Sequence, residues 1–135
     1  MKGLMQDWPL LCGRVIEHAA RQHGRRRIVT RSVEGPLQVT NYAEIHARAL
    51  RVSKRLAAEG IRLGDRIATL ASSTANQLEC WYGIAALGAI YHPVNPRLFA
   101  EQIKYIINHA EDRILFLDTS FIGLAESIAG SLPSI

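Results

Sequence analysis

Five histidines, two cysteines and a few acids and hydroxyls are the side chains here that could do chemistry. Among the histidines, only His92 stands where a ligand would be expected. It lies in Tyr91-His92-Pro93-Val94-Asn95-Pro96, at the carboxyl end of a predicted strand. Open α/β sheets bind their ligands at that end. A ring there either lines a site or hydrogen-bonds the turn backbone. His18 and His23 are five residues apart, whereas a zinc pair on one helix face needs four. His46 and His109 are expected on polar helix faces, so no metal site is expected.

The hydroxyls of Ser72-Ser73-Thr74 also follow a predicted strand. At a helix N-terminus they can bind phosphate, but capping requires the same residues. The loop is neither G-x-G-x-x-G nor a Walker loop, which argues against a dinucleotide-binding domain. Asp118 follows a later strand and is expected to cap the next helix. There is no G-x-S-x-G elbow and no paired-carboxylate site. Cys12 and Cys80 have no C-x-x-C spacing and suit small apolar core positions in a reducing compartment.

Charge is unevenly divided. Residues 1–66 hold 13 Lys/Arg and 6 Asp/Glu, and residues 67–135 hold 3 and 6. The cluster Arg25-Arg26-Arg27 raises nucleic acid as a partner. No aromatic platform is interleaved with it, and charge is a normal way to protect a strand edge. No nucleic-acid partner is expected. The N-terminus lacks the uninterrupted apolar run of a secretory signal. No stretch is long enough to span a bilayer, and a cytoplasmic protein is the expectation.

These residues must be positioned by an α/β framework. Asp7 and Pro9 predict the start of a first helix, with Trp8, Leu11, Cys12, Val15, Ile16, Ala19 and Ala20 on its docking face and Gly24 at its end. Arg27–Arg31 and Leu37–Thr40 read as strands of a hairpin turned at Glu34-Gly35-Pro36. Asn41 and Glu44 have capping-box spacing. The helix that follows carries Tyr42, Ile45, Ala49, Val52 and Leu56 on one stripe and stops at Gly60. Arg66–Ala71 is a continuous apolar run, as expected of a parallel strand covered on both faces. A helix over Ala75–Leu87, a buried strand over Ala89–Tyr91, a helix with Phe99, Ile103, Ile106 and Ile107, a buried strand over Arg113–Leu117 and a last amphipathic segment complete the order.

The fold class is therefore α/β. Residues 1–65 form helix, hairpin and helix, and residues 66–135 form a β-α-β-α-β-α parallel-sheet unit. The uncharged run Cys80–Tyr91, with Gly83 and Gly88, is expected to be a buried helix packing its small residues closely against the sheet. The alternating order predicts a further strand after Ile135, so the chain is expected to be an incomplete domain.

Gly88-Ala89, Asn95-Pro96-Arg97-Leu98, the helix after them and the strand ending at Asp118 carry a family pattern. Asn41-Tyr42-Ala43-Glu44 and Gly60–Arg66 add to it. The whole chain resembles the N-terminal portion of an AMP-forming acyl-CoA synthetase of the adenylate-forming superfamily, similar to fatty-acyl and medium-chain ligases. The resemblance implies a two-step reaction, in which an acid attacks ATP and CoA then displaces AMP. ATP, Mg and CoA would serve the full-length enzyme, with a fatty or other carboxylic acid as substrate. The family's Ser/Thr/Gly-rich phosphate loop and catalytic lysine motif have no counterpart here, so no catalytic residue, cofactor or metal is assigned to this chain alone. His92 and Asn95 are expected to wall an acyl or pantetheine channel. An inactive N-terminal piece, prone to self-association through exposed apolar surface, is the leading expectation. The alternative is a free-standing α/β binding or interaction module that has lost the chemistry.

Overall fold

The computed structural model describes residues 3–5, 7–31 and 35–135. Its centre is a three-stranded parallel sheet in the order β4-β3-β5, formed by β3 (Arg66–Leu70), β4 (Ile90–Pro93) and β5 (Ile114–Leu117). Ala68 and Leu70 face α4 (Ala100–Ala110) and α5 (Ile122–Ala129), sharing a core with Ile103, Ile107 and Ile128. Ile67 faces α2 (Tyr42–Ala58) and α3 (Ala75–Ala86), sharing a second core with Leu56 and Ile84. Both faces of β3 are covered, which is why its sequence is apolar without alternation. A third cluster joins Ile16 of α1 (Cys12–His23) to Ile45 and Ala75, with Ile28 of the hairpin packed against it.

The hairpin pairs β1 (Arg27–Arg31) with β2 (Leu37–Asn41) in antiparallel register, Val29 opposite Val39. The Gly35-Pro36 part of the expected turn lies between the strands, and Glu34 is outside the described residues. Asn41 caps α2 as its spacing requires. Its Oδ1 accepts from the Glu44 backbone N–H at 2.9 Å, and its Nδ2 donates to Glu44 Oε1 at 2.9 Å. Gly60 then takes φ +79°, which ends the helix.

The junction below β3 is pinned by charge. Arg66 Nε donates to the Ala110 carbonyl at 2.6 Å, closing off the end of α4. Asp65 Oδ2 accepts from the Arg62 backbone N–H at 2.7 Å and from Arg113 at 2.6 Å. The first of these bonds, and then Arg113, hold the Asp65 carboxyl below its ordinary range.

Six expectations change. α1 begins at Cys12 behind Leu11, whose extended backbone (φ −97°, ψ 137°) carries no side-chain cap; Asp7 and Pro9 lie upstream of it. The Leu11 N–H instead bonds the Pro9 carbonyl, so the chain turns before it coils. Trp8, Leu11, Cys12 and Val15 are exposed, because α1 lays only a narrow stripe around Ile16 onto its neighbours. Cys12 is thus no core thiol, whereas Cys80 is half-buried and burial pushes its thiol up to about 11. The close approach of α3 is made to α2: a Cβ on Gly83 would sit 2.7 Å from the Ala49 carbonyl oxygen and from Val52 Cβ. β4 starts at Ile90, which is exposed because β4 is an edge strand. Phe99 precedes α4 and is exposed, and its N–H donates to Gln102 Oε1 at 3.1 Å.

Candidate functional site

Three loops meet at the carboxyl end of the sheet. They follow β3 (Ala71–Thr74), β4 (Val94–Leu98) and β5 (Asp118–Phe121). The Val94 N–H bonds the Thr69 carbonyl at 2.8 Å, and the Asp118 N–H bonds the Leu70 carbonyl at 3.1 Å, which ties two loops to the end of β3. Asp118 does not cap the helix after it. Its Oδ2 accepts from the Ser72 N–H at 2.6 Å, across the sheet. A carboxylate bound to a backbone N–H is a strong anchor, so Asp118→Ala is expected to cost about 1–2 kcal/mol. Asp118→Asn, which keeps an acceptor, should lose less than half of that. Urea unfolding of the two variants beside the parent chain measures both.

The hydroxyls here serve the framework. Thr74 is buried, and its Oγ1 accepts from the Gln77 N–H at 3.4 Å as the cap of α3. The Thr69 hydroxyl is buried with no partner among the described residues. Asn95 is exposed, and its Oδ1 accepts from the Arg97 N–H at 3.0 Å, closing a turn around Pro96. Among the described residues no group of three His, Cys, Asp or Glu could hold a metal ion.

His92 and its neighbours separate by strand parity. In register, His92 stands beside Ala68, and Tyr91 beside Ile67. Side chains alternate across a strand. Tyr91 therefore faces α3, and His92 turns toward α4. There its Nδ1 lies 2.7 Å from Oδ2 of Asp112, a fully buried carboxyl. A carboxylate only accepts, so when Asp112 is ionised the ring must donate from Nδ1. Asp112 Oδ1 is buried without a partner. Burial raises the Asp112 carboxyl above its ordinary value, and the His92 bond, its charge and that of Arg66 oppose the rise. The expected bond from His92 to turn backbone is replaced by this one.

On the opposite face an open groove of about 710 Å³ runs between the hairpin and β4. Ile28, Val29 and Thr30 form one bank, and Tyr91 and Pro93 the other. Leu78 and Trp81 of α3 lie between them. Trp81 stacks on Tyr91 with centroids 5.9 Å apart and on Tyr82 at 5.0 Å. Neither His92 nor Asn95 lines this groove. His18 and His23 meet edge to face at 6.1 Å, and His109 stacks on Tyr105 at 5.5 Å. Arg25, Arg26 and Arg27 are exposed.

Asp112 and the groove escaped sequence reasoning. Tyr91 could have been paired with Trp81 from the period-2 pattern of β4. Asp112 gave no such signal, because an acid just after a helix ordinarily faces water.

The fold is a layered α/β unit with its loops gathered at the carboxyl end of a parallel sheet. A model of the family described as "AMP-binding enzyme" matches residues 16–133, and the chain belongs to that family. It is 44% identical over all 135 residues to a 3-methylmercaptopropionyl-CoA ligase of Ruegeria pomeroyi, covering 25% of that protein. It is 39% identical over 135 residues to a medium-chain-fatty-acid–CoA ligase of Ectopseudomonas oleovorans, again covering 25%. The chain thus spans about a quarter of the length of the curated relatives it matches, and the matched quarter is their N-terminal portion. In fold it matches the crystal structure of an anthranilate CoA ligase in complex with anthranoyl-AMP. There the TM-score is 0.84 at 24% identity, over 97% of this chain and 25% of that one.

Proposed function

We propose that this chain supplies the N-terminal part of an AMP-forming acyl-CoA ligase, which joins a fatty or other carboxylic acid to CoA with release of AMP and pyrophosphate. The 44% identity over the whole chain to a CoA ligase carries the reading. In it, residues 1–135 are part of a larger N-terminal domain, with 1–65 wrapped around the parallel unit 66–135. The fold's role is to hold the loop ends of β3, β4 and β5 still. His92 and Asn95 belong to this proposal as a stretch of acyl or pantetheine channel wall. Asn95 presents an exposed amide, and His92 keeps about a quarter of its side-chain surface in solvent. ATP, Mg and CoA are assigned to the full-length enzyme.

Two further points belong to this reading. The protein works in the cytoplasm, and the side chains of Trp8, Leu10, Leu37 and Phe99, exposed here, favour self-association of the isolated chain. The experiment is ATP–pyrophosphate exchange with a panel of fatty acids. The 135-residue chain alone is expected to give no exchange above background, and robust exchange would sink the proposal. Joined to the segment matching the remaining three quarters of the Ruegeria pomeroyi relative, it is expected to release AMP in an acid-dependent manner. A folded fusion that activates none of the acids counts against the ligase reading.

A further inference from the structure

We propose that the groove between β1 and β4 is a slot for one β-strand, supplied by polypeptide equivalent to the remaining three quarters of the relatives. This rests on the reading that the chain works as part of such a ligase. Three consecutive residues, Ile28, Val29 and Thr30, line one bank. Successive side chains point to opposite faces of a strand, so three in a row mark an edge. β1 pairs only with β2, and β4 only with β3, among the described strands. Each therefore has an edge of backbone N–H and C=O groups without a ladder partner, and such edges bind extended chain.

The dimensions agree. A strand residue in a packed sheet occupies about 3.3 × 4.8 × 10 Å, roughly 160 Å³. A groove of about 710 Å³ then takes about four or five residues, close to an ordinary strand length. Its floor suits one apolar face of such a strand, because Leu78 and Trp81 rise from α3 beneath it. An alkyl chain in the same place would strip water from both edges and return no hydrogen bond, which is costly for buried backbone groups. A strand returns those bonds on both sides. The source of the strand follows from length, since the relatives carry about three times as much chain again beyond this portion.

Hydrogen exchange tests this on the fusion described above. The amide of Tyr91, and those amides of Ile28–Thr30 that point away from β2, are expected to exchange at least tenfold more slowly in the fusion than in the 135-residue chain. Acid-dependent AMP release without that protection overturns the strand slot and leaves the ligase reading standing. Protection without AMP release supports the slot and removes the ligase reading. The intact Ruegeria pomeroyi relative gives a second readout that does not depend on the fusion folding. Its amides aligned with these should be slow, and fast exchange there overturns the proposal outright.

Discussion

His92→Ala is expected to destabilise the protein by about 3 kcal/mol at neutral pH. Removing the one partner of a buried carboxylate costs about 3–5 kcal/mol, as breaking a buried pair does, because the carboxylate is left stranded. The low end applies because His92 keeps 24% of its side-chain surface in solvent. Asp112 has no alternative, since it is fully buried and its other oxygen already lacks a partner.

The pH dependence has a definite sign. Burial is the largest influence on Asp112 and raises its carboxyl above the ordinary 3.8. Between that value and the folded one, the native state holds a proton that the unfolded chain has released. Stability from this group is therefore greatest in acid and falls as pH rises through the folded value. Removing His92 takes away an interaction that lowers the carboxyl, so the fall extends to higher pH. The deficit of His92→Ala should be smaller in acid than at neutral pH. Adding Asp112→Asn to His92→Ala should flatten the profile. Urea midpoints between pH 4 and 8 provide the measurement, and a deficit that is constant across the range would refute the account.

Gly83→Ala is expected to destabilise by about 2 kcal/mol, although alanine is the better helix former by about 1 kcal/mol. Overpacking at a closed contact costs about 1–3 kcal/mol or more. The new methyl would meet the Ala49 carbonyl and Val52 Cβ at 2.7 Å, and the first of these is backbone. It can yield only if α2 moves away from α3. Gly83→Leu should cost more still. Gly123 in α5 is the control, because a Cβ there meets nothing within 4 Å. Gly123→Ala should stabilise by up to about 1 kcal/mol, the propensity effect alone. Thermal unfolding of the three variants separates packing from propensity.

Much of the framework was legible because its signals are local. Asn41 and Glu44 cap α2 through a three-residue spacing, and Arg66–Leu70 announces a two-sided strand by its composition. What stayed hidden depends on long-range partners. Gly83 advertises a close approach but cannot say that Ala49 and Val52 are what it approaches. Asp118 stands where a cap would stand, and only the folded sheet brings Ser72 N–H within its reach. The breadth of the first helix's apolar face could not reveal that a single stripe around Ile16 would be used. His92 shows the limit most plainly. Its position at a strand end could not tell that the parity of β4 would bring the ring to Asp112, twenty residues on. The groove was invisible for the same reason, since its banks come from Ile28–Thr30 and Tyr91–Pro93, stretches far apart in the chain.

The sheet order β4-β3-β5 also sets a schedule for the ribosome. β3 leaves first of the three, and its second flank is complete only when Leu117 has followed Leu70. At about 5–20 residues per second, those 47 residues take roughly 2–10 s. For that interval the most deeply buried strand of the sheet is made but not enclosed. A nascent chain of this kind should be a client for chaperones that shield short apolar segments, and its yield should depend on how quickly codons 71–117 are read.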